Sequence, residues 1–222
     1  MTSELSNDNG KKKPRHPWDW YVEQQWVTHA LVDMISLDDD VTYLDPFCGM
    51  GNIPMALRQR GLQAYGTDKF TRTNHPLFLG EHDFLGDQHH MMEAEKALSI
   101  IMNPAFSFQD GVLVQGLSLR ICRRALEMAT HKVAALVPLK WLSSETRYQF
   151  FMKTRPQILV FSERPSMPPG NEIEALGDKA WKRGKVDYMW LVWDKQNPHA
   201  YDHSPTLWIP PREKLKKPKV AA

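Results

Sequence analysis

The sequence predicts an α/β fold, a mostly parallel sheet with helices on both faces. Three observations carry this. Short runs rich in β-branched and aromatic residues alternate with segments of helical period, the pattern of strand–helix–strand crossovers. Val133–Leu139 (VAALVPL) is a continuous apolar run, as expected of a strand buried on both faces. Polar and glycine-bearing motifs fall just after the candidate strands, where ligands bind in open sheets of this kind.

The elements follow in order. Residues 1–16 read as a disordered basic arm containing Lys11-Lys12-Lys13-Pro14-Arg15. From Trp18 a helical period places Val22, Trp26, Ala30 and Met34 on one face, with Leu31 and Ile35 beside them. Asp38-Asp39-Asp40 is a turn, and VTYLD (Val41–Asp45) is the first strand. DPFCGMGN breaks the pattern. A helix then runs through Met55–Leu57, with Pro54 in its first turn and Gly61 past its end. QAYGTD (Gln63–Asp68) is the second strand and GEHDFL (Gly80–Leu85) a short third. A helix over His89–Leu98 precedes SIIMN, the fourth strand, ending at Asn103. Val112–Thr130 is amphipathic and helical, Val133–Leu139 a strand, Glu145–Met152 a short helix, Gln157–Ser162 and Tyr188–Asp194 strands. One domain over 17–210 is expected, with a target-contact loop at 163–185 and a basic tail at 211–222.

With 222 residues, 42% of them hydrophobic and 24% charged, the chain suits one sizeable core. Net charge is only +2, which excludes a whole-surface polyanion binder. Cys48 and Cys122 are too few for a disulfide framework, and neither they nor His89-His90 show metal-ligand spacing, so no metal is expected. No apolar run reaches membrane-spanning length and no signal-peptide region opens the chain; a cytoplasmic protein without a membrane partner, monomeric or weakly dimeric, is expected.

The strand ends carry the chemistry. Gly49 and Gly51 after the first strand allow positive φ and close approach of a ligand to the backbone, though they also fit a plain tight turn. Asp68 lies 23 residues after Asp45, where an acid can accept hydrogen bonds from a ribose diol; TDKF equally fits a helix N-cap. Asp83, followed by Phe84, offers one polar contact beside an apolar wall. Asn103-Pro104-Ala105-Phe106 reads alone as an Asx turn. Read as a site, Asn103 Oδ1 and the Pro104 carbonyl accept from one –NH₂ group, and Phe106 stacks a planar ring.

DPFCGMGN, Asp68, HDF and NPAF, in that order, resemble the motifs of class I S-adenosylmethionine-dependent methyltransferases. More narrowly, they are similar to those of the DNA amino-methyltransferases, of the small phage and prophage N6-adenine type. The resemblance spans roughly Trp18 to Asp194 and implies a single Rossmann-like domain with an antiparallel late strand. It implies S-adenosyl-L-methionine as cofactor, S-adenosyl-L-homocysteine as product, and DNA as partner, with RNA an alternative. By resemblance, Asp45, Pro46, Phe47, Gly49, Gly51 and Asn52 hold the methionine part, with Tyr21, Glu23 and Asn103 near its amino-acid end. Asp68 takes the ribose, and Asp83 with Phe84 the cofactor adenine. Asn103, Pro104 and Phe106 are the catalytic set. Ala105 and Phe106 face the substrate. From the residues themselves, Trp141 is either a second wall for the base or a core residue, and Lys140, Arg147, Arg155, Arg164, Lys179, Lys182 and Arg183 are either phosphate contacts or solvated charges. Ala105 departs from the family's second proline. The same motif also serves enzymes acting on cytosine N4, RNA bases and glutamine amides, and a non-catalytic cofactor- or DNA-binding protein is the remaining alternative. The short loop at 163–185 implies weak or very short sequence recognition.

Overall fold

A computed structural model describes residues 15–86, 97–182, 184–198 and 203–213. Its strands are β1 (Thr42–Asp45), β2 (Gln63–Asp68), β3 (Phe78–Glu81), β4 (Leu98–Met102), β5 (Phe108–Gln109), β6 (Val112–Leu113), β7 (Lys132–Pro138), β8 (Gln157–Phe161), β9 (Tyr188–Asp194) and β10 (Thr206–Ile209). Its helices are α1 (Gln25–Val32), α2 (Asn52–Gln59), α3 (Leu117–Met128), α4 (Glu145–Lys153) and the single turn α5 (Ile173–Leu176). Eight strands form one sheet in the order β10-β8-β9-β7-β4-β1-β2-β3, and β5 with β6 forms a separate hairpin. Within the sheet, β9 is antiparallel to both β7 and β8, and every other pairing is parallel.

The two-residue side-chain period divides the core in two. Ile100 and Met102 of β4, Val133, Ala135 and Val137 of β7, and Met189, Leu191 and Trp193 of β9 pack on one face with α3 and Phe150 of α4. Ile101, Ala134, Leu136 and Trp190 pack on the other with Val27 and Leu31 of α1 and Ile53 and Leu57 of α2. The Trp190 indole N–H is satisfied by the Val27 carbonyl at 3.1 Å, which pins α1 to the sheet. Among the described residues no helix is long and apolar enough to cross a membrane.

Several expectations are corrected. The helix expected from Trp18 begins only at Gln25. Residues before it form an irregular strap, because Asp19 adopts φ 51° and the His16 side chain accepts the Trp18 and Trp20 N–H groups at 3.2 and 3.3 Å. Arg15 and His16, assigned to a disordered arm, belong to that strap; residues 1–14 lie outside the described residues. The third strand is Phe78–Glu81, and His82–Gly86 is loop. Val112 and Leu113 lie in the hairpin, turned by Asp110 (φ 51°) and Gly111 (φ 71°), so α3 starts at Leu117. Most of the helix expected at His89–Leu98 lies outside the described residues, and Leu98 itself begins β4. The segment 163–185 contains short helical turns and is docked on the strap: Val22 N–H donates to Pro168 O and Gly170 N–H to Trp20 O, both at 3.0 Å. β10, not among the expected strands, adds an edge strand near the end of the expected domain, and Arg212, assigned to the tail, ion-pairs with Glu163.

Candidate active site

The turn after β1 is built by its own polar groups. Asp45 Oδ1 accepts the Phe47 N–H at 3.0 Å, an Asx turn that reverses the chain at the strand end. Gly49 (φ 51°) and Gly51 (φ 85°) then take left-handed conformations, and Gly51 caps α2. β2 lets this turn pack closely only because position 66 is glycine: a Cβ there would lie 2.4 Å from Cys48 Cβ. The Gly49 N–H donates to Asp68 Oδ2 at 3.0 Å, tying the first two strand ends together.

Asp68 also accepts the Phe70 N–H at 3.1 Å and faces the Arg72 guanidinium at 3.6 Å. Burial raises its carboxyl above the ordinary value, and the Arg72 charge opposes that shift. An ionised carboxylate offers about four acceptor positions, and the Gly49, Lys69 and Phe70 N–H groups take three of them, so about one remains. Arg72 lies over the Trp20 ring, 4.4 Å from its centroid, and the Trp20 indole Nε1 is buried without a hydrogen-bond partner. Asp83 lies at the same cleft but is turned to the surface: Lys69 donates to it at 2.8 Å and the Leu85 N–H at 3.2 Å. Partial burial would push its carboxyl up, but these donors together bring it below the ordinary value. Phe84 is core, only 2% exposed, and meets Phe47 edge-on at 5.5 Å.

At the end of β4, both protons of the Asn103 amide nitrogen are taken, by Glu23 Oε2 at 2.8 Å and the Tyr21 carbonyl at 2.9 Å. That fixes the amide and leaves Oδ1 as its acceptor edge. The Glu23 carbonyl accepts from Asn52 Nδ2 at 2.6 Å, so one strap residue holds both the β1 turn and the β4 end. Burial raises the Glu23 carboxyl, opposed by the Asn103 hydrogen bond. Burial likewise pushes Asp45 well above its ordinary value, and the nearby Glu23 charge adds to the shift. Three buried acids thus meet at these strand ends, an electrostatic setting that favours a cationic ligand.

Asp19, which the sequence did not single out, gathers the Phe106, Ser107 and Phe108 N–H groups on its Oδ2, at 3.1, 2.7 and 2.9 Å. No local sequence signal marks it, since its partners lie 87–89 residues away. The DG pair at Asp110-Gly111 is the signal that could have marked the adjoining hairpin, whose second strand falls within the helix expected over Val112–Thr130.

Residues Pro46, Phe47, Asp68, Phe84, Asn103 and Ala105 border one cleft with Trp18–Tyr21 and Arg72. It encloses about 60 Å³. A nucleotide-sized ligand needs roughly 300 Å³ or more, so the cleft as it stands is too small to enclose one. Other expected substrate residues are placed differently. Trp141 is 5% exposed and gives its indole N–H to Ser118 Oγ at 2.9 Å, as a core residue rather than a wall for a base. Arg147 satisfies the Trp141 and Ser143 carbonyls, and Arg164 pairs with Asp187 at 2.6 Å, so neither stands free for phosphate. Lys140, Arg155, Lys179 and Lys182 are exposed, and Arg183 lies outside the described residues.

No family model matches the chain, and no curated protein sequence matches it significantly. Solved structures do. A protein from Listeria monocytogenes assigned as a class I S-adenosylmethionine-dependent methyltransferase superposes with a TM-score of 0.52 at 10% identity, over 83% of this chain and 63% of that one. The modification subunit of a protein from Vibrio vulnificus YJ016 assigned as a type I restriction enzyme gives 0.52 at 15%, over 89% and 48%. The METTL16 methyltransferase domain gives 0.50 at 13%, over 76% and 80%. The chain therefore spans less than two thirds of the first two proteins. At identities this low the likeness concerns architecture, and this chain has the fold of a class I methyltransferase domain.

Proposed function

We propose that this protein transfers a methyl group from S-adenosyl-L-methionine to the exocyclic amino nitrogen of adenine in DNA, with little or short sequence specificity. The observation that carries the reading is the Asn103 amide, whose two N–H bonds to Glu23 and Tyr21 leave its oxygen as an acceptor at the start of the Asn103–Phe106 loop.

The residues suit the cofactor. The buried acids Glu23, Asp45 and Asp68 complement its ammonium and sulfonium charges, and the Gly49–Gly51 backbone leaves space that a Cβ would fill with strain. Asp68 keeps about one acceptor position, enough for one hydroxyl of a diol, and the Trp20 Nε1 is a buried donor without an acceptor. When bound, S-adenosyl-L-methionine supplies the electrophilic methyl.

The chain's own contribution is orientation and charge. An exocyclic amine has its lone pair delocalised into the ring. Asn103 Oδ1 and the Pro104 carbonyl accept its two hydrogens, draw the nitrogen toward tetrahedral geometry, and stabilise the positive charge that grows there. Phe106 stacks the base and holds the nitrogen in line. A duplex base reaches such a pocket only when flipped out. The docking of 163–185 on the strap supports the weak-recognition reading, since that segment is committed to the fold rather than standing free to read bases. Exposed Lys140, Lys179 and Lys182 remain as phosphate contacts.

Methyl-labelled cofactor, incubated separately with DNA, RNA and protein and followed by nucleoside and amino-acid analysis, tests this. Label is expected in N6-methyldeoxyadenosine. Asn103→Ala should lose transfer by about a hundredfold or more while keeping cofactor affinity. Label in cytosine, RNA or glutamine would replace the substrate, and full activity in Asn103→Ala would remove the assigned mechanism.

A further inference from the structure

The loop that presents Pro104 and Phe106 lacks the second proline that its motif resemblance leads one to expect, because position 105 is alanine. Alanine leaves two soft dihedrals where proline leaves one. Yet the acceptor carbonyl and the stacking ring need fixed positions for the proposed chemistry.

What holds the loop is Asp19. Its side chain is 0% exposed, and three consecutive backbone N–H groups, of Phe106, Ser107 and Phe108, converge on one of its oxygens at 3.1, 2.7 and 2.9 Å. The other oxygen accepts from Arg15, whose guanidinium also covers the Phe108 ring at 5.2 Å. The carbonyl sides of the same residues are tied separately: Phe106 O accepts the Ser118 N–H at 3.3 Å and Ser107 O the Val114 N–H at 2.7 Å. Without a carboxylate at 19, three N–H groups lose their partner at once, a costly arrangement inside a protein. The strap is itself rigid here. Asp19 sits at φ 51°, its N–H bonded to His16 O at 3.0 Å and its carbonyl accepting the Tyr21 N–H at 2.9 Å. The strap also takes the Gly111 N–H of the adjoining hairpin on Pro17 O at 2.9 Å. A convergent three-donor cage around one oxygen aims a backbone much as an oxyanion hole aims a substrate, with donor and acceptor roles exchanged.

We propose that Asp19 is the positioning residue of the Asn103–Phe106 loop, fixing the Pro104 carbonyl and the Phe106 ring against the target amine in place of the missing proline. The proposal rests on the function proposed above for its catalytic consequence, but not for the anchoring itself. Asp19 borders the cleft, but its side chain is fully buried, so in this role it acts through the loop.

The test uses Asp19→Ala and the conservative Asp19→Asn in the full chain. Amide hydrogen exchange should show the Phe106, Ser107 and Phe108 amides losing protection at least tenfold in Asp19→Ala, and less in Asp19→Asn, while amides of β4 and β7 keep theirs. Turnover at saturating cofactor should fall at least thirtyfold in Asp19→Ala and partly recover in Asp19→Asn. Affinity for S-adenosyl-L-homocysteine, measured by calorimetry, should stay within threefold. Unchanged protection of the three amides overturns the anchor. Turnover within threefold of wild type in Asp19→Ala, or a loss of rate matched by a loss of cofactor affinity, overturns its positioning role. A wild-type protein that methylates nothing, with the amides still released in Asp19→Ala, removes the proposed function and leaves the anchor standing.

Discussion

Glu23→Met isolates the orientation of the Asn103 amide. In the wild type, Asn103 Nδ2 donates to Glu23 Oε2 at 2.8 Å, inside a region where Glu23 is 5% exposed. A buried hydrogen bond to a charged acceptor is worth about 1.5–3 kcal/mol. Methionine fills similar space but accepts nothing, so the amide loses the contact that distinguishes its nitrogen from its oxygen. If that preference is fully expressed in positioning, turnover falls about 10- to 150-fold, at 1.36 kcal/mol per factor of ten. Glu23→Gln keeps an oxygen that can accept from Asn103 and should stay within about fivefold of wild type. Stability should fall as well. The Asn103 N–H loses its acceptor in a buried setting, which costs about 1–3 kcal/mol, and relief of a carboxyl that burial has raised offsets only part of that, so the melting temperature should drop. Labelled-methyl transfer at saturating cofactor, read beside a thermal scan, measures both. Glu23→Met turning over within threefold of wild type refutes the reasoning, because Asn103 would then hold its orientation without Glu23.

Two further expectations concern the frame of the site. Gly66→Ala places a Cβ 2.4 Å from Cys48 Cβ and 2.7 Å from its Sγ, so urea unfolding should show a loss of about 1–3 kcal/mol from overpacking; an unchanged midpoint refutes it. His16 holds the strap as an acceptor, and burial first, then the Arg72 charge, lowers its folded-state pKa below the ordinary 6.5. Neutral His16 therefore contributes stability that is complete above about pH 6.5 and is lost as the pH falls through the lower folded value. The melting temperature of wild type minus that of His16→Gln should shrink on acidification from pH 7.5 to 5, and a difference that grows over that window contradicts the assignment.

The strands that sequence reading placed best are those whose burial is total. Tyr188–Asp194 matches β9, and Val133–Leu139 is displaced by one residue from β7. Both are buried on each face, so every position must be apolar and the run stands out without periodicity. The glycine turn, Asp68 and Asn103 were legible for a related reason, since special backbone angles and polar groups at strand ends leave few residue choices. β10 was missed because its four residues, Thr206–Ile209, are bounded by prolines and largely exposed, so neither burial nor alternation marks them. Trp18–Gln24 was misread as helix because Val22 and Trp26 have helical spacing. Val22 instead bonds to Pro168, and its burial comes from that docking rather than from a helix face.

That misreading has a physical root which also explains why the strap matters. A segment crossing the ends of parallel strands has little to pair with, here only the short bridge to residues 168–170, so its remaining polar groups must be satisfied by whatever the strand ends present. Asp19 takes three N–H groups of the β4 loop, the Tyr21 carbonyl and Glu23 carboxylate take the Asn103 amide, and the Glu23 carbonyl takes Asn52 of the β1 turn. Trp20 lies over Gly49, where a Cβ would come within 3.0 Å of its indole nitrogen, and against Gly170, where one would come within 2.1 Å of the ring. Each contact is long-range and uses a residue type common in any loop, so none shows in a sequence window. Their joint effect is that the two halves of the proposed site, the β1 turn for a cofactor and the β4 loop for an amine, are held to one another by ten residues of chain rather than by the sheet alone. Trp20 and Arg72 both line the present cleft, and Trp20 shares its strap with Asp19 and Glu23, so a ligand that displaced Trp20 would pull on the segment that holds the β4 loop.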